Sequence, residues 1–515
     1  MKWQPGRAVV DVALPARNLT EVRWRVFVVG LIGYAFFLRV IFSGQIELLP
    51  EEAYYWNYSR HLDIGYLDHP PMVAWLIRLG TDLFGNNEFG VRFGALGCGA
   101  VTAFFAYRLA RNLFGEETAL IALAMSQVLP FFFLSGMLMT PDAPLTAAWA
   151  ASLYFLERAL IGARPWAWLC AGLALGLGLI SKYSIGLLGV VTAVFMVLDP
   201  PSRRWFRRWE PYAGVLVAAA VFSPVVIWNA QHEWASFVFQ TARRLTELPR
   251  FSLHKLIGSA LILLTPVGLI AVGAALMENC PPVRRSWRFL CVGVLVPVAV
   301  FVLFSLRHEV KLDWTGAPWV CAIPLMAFGL CAARAGTSGS RQWLRTAWPV
   351  TFVVMLALYT VGFYHLTEGI PGVGYTRHTE LLPVEWRDFG RQIDGIADGV
   401  RDQYGDNLLV VGMDRYAIAS ELAFYSSDQR KAVASRSSWH LFDDMGLMYE
   451  QWFPLKLQAG RNLLLVAWDP ADLAAPQLEK RVEMLEPIYD GVLTRDGTVV
   501  RRFYYRVAHG YQPSS

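Results

Sequence analysis

The residues of this sequence best suited to chemistry are Glu51 and Glu52, which follow directly behind a long apolar run. They belong to the segment Pro50–Trp56, and a second polar cluster follows at Asp68–Pro71. A charge beside hydrocarbon is costly, so two adjacent carboxylates at the end of a membrane helix indicate a function. A carboxylate in this position can accept a proton from a hydroxyl group. We therefore take this acid pair as the first candidate for a catalytic base.

Further polar residues stand in the connections between later apolar runs. Asp142 lies within Thr-Pro-Asp-Ala-Pro, and Lys182 interrupts a long apolar stretch. The basic residues of these connections and of the first loop are Arg60, His69, Arg307, His308 and Lys311. Cations can stabilise a phosphate while a carboxylate activates a hydroxyl. If these connections meet at one membrane face, the set suits a reaction on a lipid-linked anionic substrate.

Each candidate also has an ordinary structural use, which the sequence leaves open. Glu52 can brace its loop through an ion pair with Arg60, and Asp142 stands where a helix N-cap is expected. Lys182 can extend towards lipid headgroups. The other basic residues can bind the Pro-Pro turn or anchor the chain at the membrane interface: His69, Arg307, His308 and Lys311.

The composition indicates that membrane helices position these residues. Of the 515 residues, 55% are hydrophobic and 17% are charged, whereas about a quarter are charged in soluble domains. Apolar runs of about 20 residues, the length that spans a bilayer, recur up to residue 365. We predict about eleven spans, at 24–43, 89–109, 119–138, 143–162, 166–181, 184–199, 211–229, 256–276, 288–306, 316–333 and 346–364. The chain is thus predicted to be a polytopic α-helical membrane protein, with 72–84 lying at the interface.

Arginine-rich connections, which stay in the cytoplasm in membrane proteins, predict the orientation. They all fall on the side of the basic N-terminus: Arg203, Arg204, Arg207, Arg208, Arg284, Arg285, Arg288, Arg334, Arg341 and Arg345. The opposite, external face then holds residues 44–71, 140–142, Lys182, 230–255, 307–315 and the tail after 365. The net charge of +5 is spread among these connections, a pattern that argues for membrane topology and against nucleic-acid binding.

The tail changes character and is predicted to form a small external α/β domain. Residues 407–412 and 462–468 have the apolar pattern of buried strands, with a helix between them at 416–425. We therefore divide the chain into a transmembrane catalytic domain, 1–365, with 44–71 as its catalytic loop, and an extracytoplasmic domain, 366–515.

Several motifs together resemble the polytopic GT-C glycosyltransferases, in the branch of the protein O-mannosyltransferases and the bacterial lipid A aminoarabinose transferases. In Glu51–Trp56 the family usually has Asp-Glu-Ala-Tyr-Tyr, so the first acid is replaced by glutamate here. The other segments that carry the resemblance are Gly65–Pro71, Thr140–Pro144, Ser181–Tyr183 and, for a bacterial subgroup, Arg415–Leu422.

The resemblance implies an inverting transferase that moves a monosaccharide from a polyprenyl-phosphate (undecaprenyl-phosphate) donor at the periplasmic face of the bacterial inner membrane. The acceptor would be lipid A, lipopolysaccharide or another envelope glycan, with a protein acceptor as the alternative. The family's catalytic acid maps to Glu51, and Glu52 stays a second candidate. The implied donor and substrate contacts are His69, Arg60, Asp142, Lys182, Arg307, His308 and Lys311. No cofactor is required, and a divalent metal ion held by Asp142 and Glu51 is left open.

A transporter or flippase of lipid-linked sugars is the competing function from another class. Transporters often carry polar residues at the bilayer midplane, broken helices and internal repeats. Here the polar residues stand in loops at one face, and the sequence shows no repeat. The sequence therefore favours the enzyme.

Overall fold

The computed structural model describes residues 19–241, 249–277, 283–334, 342–375 and 382–513, which leaves Arg341 outside the described ranges. The first part of the chain is almost entirely helical, because a helix satisfies its own backbone hydrogen bonds within lipid. Its helices are α1 Leu19–Gln45, α2 Pro50–Arg60, α3 Met72–Phe84, α4 Glu88–Phe114, α5 Glu116–Val128, α6 Pro130–Ser135, α7 Asp142–Leu160, α8 Ala167–Leu179, α9 Leu187–Leu198, α10 Glu210–Gln231, α11 Ala235–Gln240, α12 Leu253–Leu276, α13 Arg284–Ser305, α14 Ala322–Arg334 and α15 Leu344–Thr367.

Seven helices of the described ranges are long and apolar enough to cross a membrane. An eighth is added if Tyr183–Leu198 and Pro200–Arg207, which meet at a bend of 116°, count as one span. Other apolar stretches are divided into shorter helices. Pro130 separates α6 from α5, because proline lacks the backbone donor that a continuous helix needs. The polytopic helical fold is confirmed, and the number eleven stays a prediction.

The loops that carry Asp142, Lys182 and Asp313 meet at one end of the bundle. Direct contacts between Asp142, Lys182 and Asp313 establish this meeting point. At the other end, Arg285 forms an ion pair with Asp199 at 2.8 Å. Asp142 and Lys182 of the predicted polar set therefore lie together at one end of the helical bundle.

The remainder of the chain folds around a six-stranded sheet with the order β2-β1-β3-β6-β4, to which β5 adds by pairing with β6. Strands β1, β2 and β3 are parallel, and β6 runs antiparallel to β3, β4 and β5. The predicted strands at 407–412 and 462–468 and the helix between them are confirmed. The elements are α16 Trp386–Tyr404, β1 Leu408–Gly412, α17 Ala417–Phe424, α18 Gln429–Val433, β2 Arg436–Ser438, α19 Tyr449–Trp452, β3 Asn462–Ala467, α20 Pro470–Leu473, α21 Pro476–Glu479, β4 Met484–Leu485, β5 Tyr489–Arg495 and β6 Thr498–His509.

The sheet and the first loop share one apolar core, which the sequence did not predict. Buried residues of α2 and α3 pack in the same cluster as the residues of β1, β3 and α17. Hydrogen bonds fasten the contact: Tyr425 Oη accepts from the Leu48 amide at 2.7 Å, and Tyr54 Oη accepts from the Met448 amide at 3.2 Å. The helix that carries the acid pair is therefore held between the membrane bundle and the C-terminal sheet.

Candidate active site

Helix α2 begins with Pro50, and the acid pair occupies its first turn. Proline is favoured there because its fixed φ suits a helix start, and acids suit the positive end of the helix dipole. Consecutive helical residues point about 100° apart. Glu51 and Glu52 therefore face different surroundings: Glu51 lines a cavity, whereas Glu52 is completely buried.

Glu52 is fully engaged in structural contacts. Its Oε2 lies 2.6 Å from Nη2 of Arg92, and neither side chain has any exposed surface. Its carboxylate also accepts hydrogen bonds from the amides of Leu49, at 3.2 Å, and Met139, at 2.9 Å. The bracing partner is thus Arg92 of α4 rather than the Arg60 suggested by the sequence. Glu52 ties α2 to α4 and to the loop before α7.

A second, partly buried cluster joins three separate connections. The Lys182 ammonium lies 2.9 Å and 3.0 Å from the two carboxylate oxygens of Asp142 and 2.7 Å from Oδ2 of Asp313. Burial lowers the pKa of Lys182, but the two carboxylates outweigh it and hold the pKa above its usual value. Burial raises the pKa of Asp142 to about 7. For Asp313 the effect of burial is outweighed by Lys182, and its pKa is lowered.

The first turn of α2 and the Lys182 cluster line a cavity of about 350 Å³. Glu51 is open to this cavity and has no hydrogen-bond or ion-pair partner among the residues that the structure describes. Its surroundings raise the pKa of Glu51, first through burial and then through the charge of Asp313. The lining residues are Leu49, Glu51, Tyr55, His69, Phe131, Leu134, Ser135, Leu138, Thr140, Pro141, Asp142, Lys182, Leu263, Lys311, Leu312, Asp313 and Trp314.

Aromatic rings form the wall of the cavity next to Glu51. The ring of His69 packs edge-on against Tyr55, with the centroids 5.7 Å apart. Behind them, the Asp68 carboxylate is buried and accepts hydrogen bonds from the hydroxyls of Tyr54 and Tyr58. The Asp-His-Pro-Pro motif thus uses its acid to fix the tyrosines of α2 and presents its histidine to the cavity.

Five of the predicted site residues line this cavity: Glu51, His69, Asp142, Lys182 and Lys311. The other four do not. Arg307 is exposed outside it, and the ring of His308 packs on Phe304 at 4.6 Å. Arg60 lies over Trp56 and donates to Thr81 at 2.7 Å. Any donor contact by these residues stays a prediction, as does a catalytic role for buried Glu52.

Two residues central to the site were not among the predicted ones. Asp313 stands in the same loop as the candidates Arg307, His308 and Lys311, and spacing alone does not show which residues of the loop turn inwards. Arg92 lies inside the predicted span 89–109, where a lone arginine in an apolar run signals a buried acidic partner. That signal was available in the sequence.

The residues that the structure describes contain no group of three or more His, Cys, Asp or Glu side chains placed to hold one metal ion. The Lys182 ammonium bridges Asp142 and Asp313. A metal ion between Asp142 and Glu51 stays a prediction.

Part of the sequence is similar to known glycosyltransferases. Residues 68–228 match the family described as dolichyl-phosphate-mannose-protein mannosyltransferase. The chain is 31% identical over 192 residues to the lipid A galacturonosyltransferase RgtD of Rhizobium johnstonii, a stretch covering 36% of this chain and 39% of the relative. It is 29% identical over 221 residues to the undecaprenyl phosphate-alpha-4-amino-4-deoxy-L-arabinose arabinosyl transferase of Pseudomonas paraeruginosa, with 38% of each chain covered. The matched stretches thus span about two fifths of these relatives.

The likeness in fold extends over nearly the whole chain. The crystal structure of ArnT from Cupriavidus metallidurans in the apo state matches with a TM-score of 0.62 and 16% identity, covering 95% of this chain and 98% of ArnT. The structure of the same protein bound to undecaprenyl phosphate matches with a TM-score of 0.60 and 17% identity, covering 93% and 98%. Over part of its length the chain is thus similar to the dolichyl-phosphate-mannose-protein mannosyltransferase family and to lipid A glycosyltransferases, and its overall fold is that of ArnT.

Proposed function

We propose that the chain is an inverting glycosyltransferase that moves one monosaccharide from an undecaprenyl-phosphate donor to a cell-envelope glycan. One observation carries this proposal. Of the three carboxylates that line the cavity, Asp142 and Asp313 are bound to Lys182, whereas Glu51 has no such partner among the described residues. A carboxylate that is open to a cavity and has a raised pKa is suited to accept a proton.

The reaction needs one such group. The acceptor hydroxyl attacks the anomeric carbon, a new C–O bond forms, and the bond between that carbon and the phosphate oxygen breaks. The electron pair leaves with the phosphate, and the hydroxyl proton passes to Glu51. Because the leaving phosphate is already stable as an anion, no general acid is required, in contrast to glycoside hydrolysis with its two carboxyl groups. A single displacement inverts the anomeric configuration.

Cations in the cavity wall are placed to bind the donor phosphate. Lys311 is exposed towards the cavity and carries no ion pair among the described residues, so its ammonium is available to the donor phosphate. Lys182 is held by two carboxylates, and His69 stands beside Tyr55 on the same wall. We assign phosphate binding first to Lys311, with His69 and Lys182 adding to the stabilisation of the charge that develops on the phosphate.

The position of the cavity suits a lipid-linked donor. Apolar side chains of α6 and α12, Leu134 and Leu263, line it together with the charged groups. The basic connections at the opposite end of the bundle support a cytoplasmic N-terminus by the positive-inside rule. We therefore propose that the cavity opens at the periplasmic face of the bacterial inner membrane, with the C-terminal domain on that side.

The test is to supply purified protein with an undecaprenyl-phosphate sugar and purified lipid A, and to follow the release of undecaprenyl phosphate and the anomeric configuration of the product by NMR. The proposal expects release that depends on the acceptor, with inversion. Retention of configuration would contradict the single displacement. Transfer to a peptide alone would support a protein O-glycosyltransferase, and translocation without turnover in liposomes would support a flippase.

A further inference from the structure

A second group of polar residues lies outside the donor cavity, where the first loop meets the C-terminal domain. Two cavities, of about 730 Å³ and about 260 Å³, flank Arg60, whose side chain forms part of both walls. We call the two together the junction cleft. Its lining residues are Trp56, Arg60, His61, Leu62, Asp63, Tyr66, Asn86, His232, Gln429, Arg430, Val433, Met448, Gln451 and Trp452.

The lining chemistry is that of a saccharide site with an excess of positive charge. Amide side chains and aromatic rings, such as Gln451 and Trp452, provide hydrogen bonds and apolar surface of the kind that sugars present to proteins. Arg60 and Arg430 are cationic, and Asp63 is the one carboxylate among the described lining residues. The Asp63 carboxylate is occupied, because its Oδ2 accepts from the Trp228 indole at 2.9 Å.

The walls of the junction cleft are rigid, which favours a preformed site. The ring of His61 stacks on Trp452 with centroids 4.4 Å apart and an interplanar angle of 13°. His232 stacks on Trp228 in the same way, at 4.1 Å and 14°. The first stack joins the first loop to the C-terminal domain, and the Trp228 indole joins the end of α10 to the first loop through its hydrogen bond to Asp63. Both halves of the chain are therefore needed to form the cleft.

Arg60 has hydrogen-bonding capacity directed away from its protein contacts. Its Nη2 donates to Thr81 Oγ1 at 2.7 Å, and its Nε donates to Ser59 Oγ at 3.1 Å. Its Nη1 has no hydrogen-bond partner among the described residues, and neither has the guanidinium of exposed Arg430. An anionic group between these two arginines would receive charge-assisted hydrogen bonds from both sides.

Exposed apolar side chains border the junction cleft. Leu62 is half exposed within its wall, and Leu79 and Leu83 of the neighbouring helix α3 are similarly exposed. An apolar face on a short helix beside a membrane bundle is expected to lie in the lipid interface. A ligand in the cleft can thus keep its sugar among polar residues while its acyl chains enter the membrane.

We propose that the junction cleft binds the anionic saccharide headgroup of a glycolipid acceptor. This inference rests on the proposed function, because an acceptor held here stands on the same face as Glu51 and the donor cavity. The acceptor class is a phosphorylated or otherwise acidic glycolipid, recognised through Arg60 and Arg430. The C-terminal domain, which supplies Arg430 and Gln451, thereby selects the acceptor.

The test measures equilibrium binding of lipid A and of enzymatically dephosphorylated lipid A to the full-length protein in detergent micelles. We expect Arg430→Glu to weaken binding of the phosphorylated form on the order of tenfold and to leave the dephosphorylated form nearly unchanged. Gln451→Ala should weaken both forms alike. Arg391→Glu, an exposed arginine of α16 that does not line the cleft, is the matched control.

The outcomes separate this inference from the proposed reaction. Equal binding of both lipid A forms by the wild type, or binding by Arg430→Glu equal to that of the control, would overturn the inference even if turnover is observed. Selective binding that is lost in Arg430→Glu would support it even if the transfer reaction fails. Affinity for undecaprenyl phosphate should stay within twofold (about 0.4 kcal/mol) in every variant.

Discussion

Removal of the Glu52 charge should destabilise the protein strongly, although the neighbouring Glu51 tolerates the same change. In Glu52→Gln, the guanidinium of Arg92 loses its ion pair at 2.6 Å in a site where neither side chain is exposed. Breaking a buried pair from one side costs about 3–5 kcal/mol, because the remaining charge stays buried without compensation. The amide oxygen of Gln still accepts from Leu49 or Met139, so the loss arises mainly from the charge.

The assay is thermal unfolding of the purified protein in detergent, followed by intrinsic fluorescence. We expect the midpoint of Glu52→Gln to fall by roughly 3–5 °C. Glu51→Gln is the matched control and should unfold within about 0.5 kcal/mol of wild type, since its carboxylate faces a cavity. Adding Arg92→Met to Glu52→Gln should restore part of the loss, because the unpaired charge is then removed as well.

One result would refute this reasoning. If Glu52→Gln unfolds at the wild-type temperature but releases no undecaprenyl phosphate, Glu52 does not brace α2 and is instead the better candidate for the base. A stability loss without recovery in the double variant would show that the amide contacts of Glu52, rather than its charge, hold the loop.

Three further predictions concern the cavity. Lys311→Met should raise the Kd for undecaprenyl phosphate on the order of tenfold, measured by equilibrium binding; an unchanged Kd would remove Lys311 from the phosphate site. Asp313→Asn should lower the free energy of unfolding at neutral pH by about 1 kcal/mol and Asp142→Asn by less, because the folded state lowers the pKa of Asp313 and so favours its charged form, whereas it raises the pKa of Asp142 to about 7 and so favours the neutral form that asparagine resembles; equal unfolding midpoints would contradict this order. Because the pKa of Glu51 is raised and a base works deprotonated, kcat should rise with pH through an apparent pKa above the ordinary glutamate value of about 4.3; a pH–rate profile that is flat up to neutral pH would disprove it.

The sequence predicted much of this site because membrane topology constrains where polar residues can stand. Alternation of apolar runs and arginine clusters placed Glu51, Asp142 and Lys182 on one face, and the structure brings all three to one cavity. Sequence spacing does not show which residues on that face lie close enough to contact one another. It did not predict that Lys182 would join Asp142 to Asp313, because that contact depends on how α7, α8 and the loop after α13 pack.

The two adjacent glutamates show the same limit at closer range. Their assignment depends on Arg92, which lies in the next span and meets Glu52 only after α4 has packed against α2. The sequence pattern also did not predict that the C-terminal domain packs against α2. Its strands were predicted from their apolar runs, but the core that it shares with α2 follows from side-chain packing between distant segments.

The most direct measurement is the single-turnover rate of undecaprenyl phosphate release by Glu51→Gln, with donor and acceptor both bound. The control is Glu309→Gln, an exposed glutamate of the same face that pairs with Arg250 and does not line the cavity. If Glu51 is the base, its variant should react about 10²–10⁴-fold more slowly, with the donor Kd and the unfolding midpoint unchanged, while the control reacts at the wild-type rate. A wild-type rate in Glu51→Gln would contradict the assignment of Glu51 as the base.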